Sequence, residues 1–77
     1  MNTETTATLD ARGLNCPLPI LRTKKALNSL QSGDILQMVS SDPGSIKDID
    51  AFCNQTGNEL LENSTENGEF TFIIRKS

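Results

Sequence analysis

Cys16-Pro17-Leu18-Pro19 is the one constellation in this sequence whose residue types and spacing imply chemistry. Proline suits the first position of a helix, where its missing N–H would have had no partner anyway. Placing Pro17 there puts Pro19 at the third position, still within the first turn, and makes Cys16 the N-cap. A residue before proline is pushed toward the extended region that an N-cap adopts. Cysteine caps a helix poorly beside serine, aspartate or asparagine, so a cysteine at a well-marked helix start points to a need for sulfur. A helix N-terminus carries roughly half a positive charge and can draw a thiol from about 8.5 down to about 3.5–7.5. Pro19 offers no N–H, which leaves Leu18 as the nearest amide and predicts the milder end of that range. Arg12 and Arg22 assist if they reach the sulfur.

What the motif lacks is also informative. In a disulfide oxidoreductase the position of Pro19 is a second cysteine, which attacks any sulfur carried on the first. Proline there leaves Cys16 a lone nucleophile able to hold a persulfide. Passing sulfur from thiol to thiol needs only a thiolate attacker and a thiolate leaving group. The competing reading is a buried structural cysteine at a proline-rich helix start; the turn residues Gly13 and Asn15, which tolerate positive φ, favour exposure instead. Cys53 is the reverse case. It stands four residues after Ile49 and seven after Ile46, on an apolar stripe, and reads as core packing. A redox role for it requires that it lie close enough to Cys16 to form a disulfide.

Composition narrows the chemistry further. The 77 residues suit one small domain with a modest core. There is no His, Trp or Tyr, and Phe52, Phe70 and Phe72 are the only aromatics. Without imidazole there is no Ser/His or Cys/His triad, and two cysteines alone do not close a tetrahedral zinc site. No metal or cofactor is expected. The net charge of −3 is unevenly spread. Arg12, Arg22, Lys24 and Lys25 face only Asp10 in residues 5–33, whereas residues 34–74 carry eight acids against Lys47. An acidic chain without aromatic platforms is a poor direct reader of nucleic acid. Its basic first helix suits docking on an acidic protein surface, or is simply a solvated face. The start lacks the apolar stretch of a signal peptide, and no run approaches the ~20 apolar residues of a membrane span. A cytoplasmic location with reduced cysteines is therefore expected.

These residues must be positioned by a small set of elements. Residues 1–6 read as a disordered tail ahead of a single domain over 7–77. Ala7–Ala11 is a short strand with Leu9 inward. Pro17 to about Gln31 is helical, with Ile20, Thr23, Ala26, Leu27 and Leu30 on one face and Gly33 as its stop. Leu18 and Leu21 fall outside that arc, beside Arg22 and Lys25. They form either an exposed docking patch or a contact under the preceding loop. Asp34–Ser41 is a strand, and residues 44–57 are a second helix with Ile46, Ile49, Phe52 and Cys53 as its stripe and Gly57 as its stop. Asn58–Thr65 is a weaker strand, Asn67-Gly68 a hairpin turn, and Glu69–Arg75 a strand alternating Phe70, Phe72 and Ile74 against Thr71, Ile73 and Arg75. The order β-α-β-α-β-β, with two helices on one face of a four-stranded mixed sheet, is a two-layer α/β sandwich.

Leu9-Asp10, Gly13-Leu14 and Cys16-Pro17-Leu18-Pro19 together resemble the signature of the TusA-like (SirA/YedF) sulfur-carrier family. The likeness continues through Gly33-Asp34, Ser41-Asp42-Pro43, Asp48-Ile49, Ala51-Phe52-Cys53 and Ile74-Arg75-Lys76. The resemblance implies the same two-layer sandwich. It also implies that Cys16 accepts sulfur as a persulfide from a cysteine desulfurase or a rhodanese-type sulfurtransferase. The sulfur then passes to an acceptor such as a DsrE-type protein, for tRNA thiolation, molybdenum cofactor or dissimilatory sulfur oxidation. On this reading Gly13, Pro17 and Pro19 shape the motif, while Leu18, Arg22, Lys24 and Lys25 dock partners. The alternative is a regulatory or protein-interaction module that uses the basic first helix as its binding face.

Overall fold

The computed structural model describes residues 5–77, and its elements follow the predicted order: β1 (Ala7–Ala11), α1 (Leu18–Asn28), β2 (Ile35–Ser40), α2 (Ser45–Thr56), β3 (Glu59–Glu66) and β4 (Glu69–Arg75). Of the tail expected over residues 1–6, residues 1–4 lie outside the described part. Thr6 is tied down: its N–H donates to the Ile35 carbonyl at 2.7 Å, and its hydroxyl accepts from the Ile35 N–H at 3.0 Å.

The sheet runs in the order β1-β2-β4-β3, with β1 parallel to β2 and the other two pairings antiparallel. Register puts Ala7, Leu9 and Ala11 beside Leu36, Met38 and Ser40, and these beside Ile74, Phe72 and Phe70. That face carries the core: the period of two sends Leu9, Leu36, Met38, Phe70, Phe72 and Ile74 to one side, while Ile35, Val39 and Ile73 fall on the other. Leu27 of α1 and Ile49 and Cys53 of α2 close over it. The reverse face, with Thr8, Gln37, Ile73 and Glu62 in one row, carries no helix among the described residues. Asn67 and Gly68 both adopt positive φ, 52° and 77°, as the two-residue turn between β3 and β4 requires. A bulge between Leu60 and Glu62 breaks the register of β3.

Two expectations need correction. The first helix stops at Asn28, not near Gln31. The Ser29 hydroxyl donates to the Ala26 carbonyl at 2.8 Å, and the N–H groups of Ser29 and Leu30 bond carbonyls three residues back. These local bonds satisfy the end of the helix before Gly33 is reached. In α2, Ile46 is exposed and Ser45 is buried in its place. The Ser45 hydroxyl lies 2.7 Å from that of Ser40, so the pair satisfies itself inside the core and the inward stripe runs Ser45, Ile49, Cys53.

Candidate functional site

Because β1 and β2 are parallel neighbours, their C-terminal ends lie side by side, and the loops leaving them meet. Gly13, in the loop after β1, has φ of +81°, a conformation that costs glycine little and a side chain much. Its N–H donates to the Ser41 hydroxyl at 2.9 Å. Asn15, the other turn residue, does not adopt positive φ. The Cys16 N–H donates to Oδ2 of Asp42 at 2.8 Å, while Oδ1 of the same carboxylate accepts from the Gly44 N–H at 3.0 Å. Asp42 is held in turn by its own N–H, which donates to the Ser40 hydroxyl at 3.1 Å. The loop after β2 therefore clamps the backbone of Cys16 from outside the helix.

The helix begins one residue later than expected. Pro17, not Cys16, is the N-cap, since its carbonyl accepts the first helical bond, from the Leu21 N–H at 3.1 Å. Pro19 accordingly stands at the second position, where it still removes no intrahelical donor. The Cys16–Pro17 peptide bond is cis. The Leu18 N–H, expected to face the sulfur, donates to the Asn15 carbonyl at 2.8 Å.

This overturns the expectation of a favoured thiolate. Cys16 is exposed and in no disulfide, and its thiol donates to Oδ2 of Asp48 on α2 at 3.2 Å. That hydrogen bond is the main reason the thiol is pushed above its ordinary range, followed by desolvation and the negative charges of Asp48 and Asp42. Arg12 does not oppose them, being engaged with Asp10 and Glu69. Alkylation of Cys16 by iodoacetamide should therefore rise with pH through a midpoint above that of an unperturbed cysteine peptide. Asp48→Asn should lower the midpoint and speed alkylation at neutral pH, thiolate fraction changing about tenfold per pKa unit while intrinsic nucleophilicity takes back part of the gain. A wild-type midpoint at or below that of the peptide would contradict this account.

A shallow cleft of about 290 Å³ opens at the sulfur, lined by Cys16, Pro17, Ile20, Asp48, Ala51, Phe52 and Gln55. It lies between the start of α1 and one face of α2. Leu18, Arg22, Lys24 and Lys25 are exposed on α1 but do not line it. Leu18 and Leu21 are 45% and 54% exposed, which decides their open alternatives in favour of a surface patch. Cys53 is buried in the core. Asp42, Asp48 and Gln55 were not singled out from residue chemistry. Asp42 stands 26 residues from Cys16, and nothing local in the sequence signals its bond to the Cys16 N–H. Among the described residues, no three His, Cys, Asp or Glu side chains are grouped to hold a metal ion, and no helix is long and apolar enough to cross a membrane.

Residues 7–76 match the family described as Sulfurtransferase TusA. The chain belongs to that family. It is 62% identical over 69 residues to the sulfur carrier protein TusA of Allochromatium vinosum, covering 90% of this chain and 91% of the relative. It is 41% identical over 70 residues to the sulfur carrier protein TusA of Pseudomonas putida strain GB-1, covering 91% and 88%. The crystal structure of a SirA-like protein from Desulfitobacterium hafniense superposes with a TM-score of 0.75 at 30% identity, covering 91% of this chain and 96% of that one. The β-α-β-α-β-β sandwich expected from the resemblance is thus the fold of the family.

Proposed function

We propose that this protein is a sulfur carrier that accepts sulfane sulfur on Cys16 and hands it to a second protein. The observation that carries the reading is the exposed, free thiol of Cys16, clamped through its backbone at the mouth of a cleft while the other cysteine is buried. The 62% identity to a protein named as a sulfur carrier supports it. In the uptake step the Cys16 sulfur attacks the terminal sulfur of a donor persulfide. A new S–S bond forms on Cys16, the donor's own S–S bond breaks, and the donor leaves as a thiolate that takes the proton Cys16 gave up. Nothing is oxidised or reduced overall, so neither metal nor cofactor enters the balance.

The donor would be a cysteine desulfurase or a rhodanese-type sulfurtransferase, and the acceptor a DsrE-type or similar protein in tRNA thiolation or sulfur oxidation. Leu18, Arg22, Lys24 and Lys25 supply an apolar and cationic surface beside the cleft, and among the described residues these cations make no ion pair. The reading requires a reducing compartment, where an exposed thiol persists. Intact-mass spectrometry after incubation with a persulfide donor tests it. A gain of one sulfur atom, removed by cyanide or reductant and mapped to the Cys16 peptide, is expected. No gain on a folded, reduced chain would move the assignment to an interaction module.

A further inference from the structure

In the unloaded chain the Cys16 thiol donates to the Asp48 carboxylate at 3.2 Å, and a second carboxylate, Asp42, is bound to the Cys16 N–H at 2.8 Å. Among the described residues no cation lines the cleft, whose remaining walls are prolyl, aliphatic, aromatic and amide groups. Arg12 is held away in its pairs with Asp10 and Glu69. A persulfide is a stronger acid than its parent thiol, because the adjacent sulfur stabilises charge on the terminal one. At a given pH the loaded group is therefore ionised, as Cys–S–S⁻, to a greater extent than the empty thiol. Loading removes the proton donor that Asp48 was accepting from and sets an anion next to its carboxylate.

Resting on the carrier reading, we propose that Asp48 sets how readily Cys16 gives up its sulfur, stabilising the empty thiol and repelling the loaded persulfide. The effect is on equilibrium. In the hand-off the terminal sulfur first takes a proton from water and becomes electrophilic; an acceptor thiolate then attacks it and forms a new S–S bond to it. The bond from that sulfur to Cys16 Sγ breaks with its electron pair left on Sγ. Sγ then takes a proton from water and regains its hydrogen bond to Asp48. Atoms and charge balance without any oxidant. A carrier built this way does not hoard sulfur: each return to the empty state restores a favourable contact and relieves an unfavourable one.

The test is a direct competition. Wild-type protein is loaded with inorganic polysulfide, freed of excess reagent and mixed anaerobically with an equal amount of empty, ¹⁵N-labelled Asp48→Asn protein. Intact masses then report where the sulfur settles. The asparagine variant should hold the larger share of the sulfur, several-fold over wild type. Raising the salt from about 50 mM to about 500 mM should shrink that preference, since a contact at an exposed sulfur is screened. Asp48→Glu, which restores the charge, should return the partition toward equality. A merely structural role for Asp48 would move neither the salt response nor the glutamate rescue. Equal partition between wild type and Asp48→Asn, with both loading normally, would overturn the inference and leave the carrier reading intact. If wild type takes up no sulfur at all, both fall.

Discussion

Replacing Cys16 with serine should abolish sulfur uptake completely while leaving the chain folded. A serine hydroxyl is almost fully protonated at neutral pH and forms no stable analogue of the persulfide, so the loss is total and not graded. The fold should survive because the bond that fixes this position runs through the Cys16 N–H to Asp42, which serine retains. Serine also keeps a donor for Asp48. Circular dichroism and a urea midpoint close to wild type would establish that the defect is chemical. Cys53→Ala is the control: Cys53 is 4% exposed and packs in the core, so this variant should load as wild type does despite a modest loss of stability. A Cys16→Ser protein that still gained one sulfur would remove Cys16 from the mechanism, and loss of loading in a folded Cys53→Ala protein would overturn its assignment as packing.

The second large effect is on stability. Phe72→Ala should cost about 3–5 kcal/mol, the range for removing a fully buried aromatic ring. Phe72 has no exposed surface and stands in the middle of β4, paired with Met38 on one side and Asn63 on the other, where both helices close over the sheet. At ~0.05–0.15 kcal/mol per residue, a chain of 77 residues holds about 4–12 kcal/mol in all. The variant should therefore be largely unfolded at body temperature, or unfold at much lower urea than wild type. A loss below about 1 kcal/mol would mean that the core refills the space, against the close packing that interiors normally show.

How far the residues alone foretold this structure depended on how local each determinant is. The strands Ala7–Ala11 and Glu69–Arg75 end where their alternation ends, because one face of each is buried. The Asn67-Gly68 turn follows from which residues accept positive φ. Ser45 and Ile46 exchanged places relative to the helical wheel because the partner that draws Ser45 inward, Ser40, belongs to another element. Cys16 shows the same limit at the site. Its neighbours in the chain, two prolines and a helix start, argued for a thiolate. The groups that govern the sulfur, Asp42 and Asp48, come 26 and 32 residues later and carry the opposite sign. No periodicity or capping rule reports a contact of that span.

The two helices cover one face of the sheet, and Cys16 opens on that side, at one end of one layer. If this thiol is the carrier, donor and acceptor need the same few square ångströms and cannot be aboard together. Flux through such a shuttle is then capped by how fast each complex comes apart. At an association rate of about 10⁶ M⁻¹s⁻¹, a micromolar complex dissociates about once per second, while a nanomolar one lasts on the order of a quarter of an hour. Tight binding would stall the traffic, so both partnerships should be brief, with residence times nearer seconds than minutes.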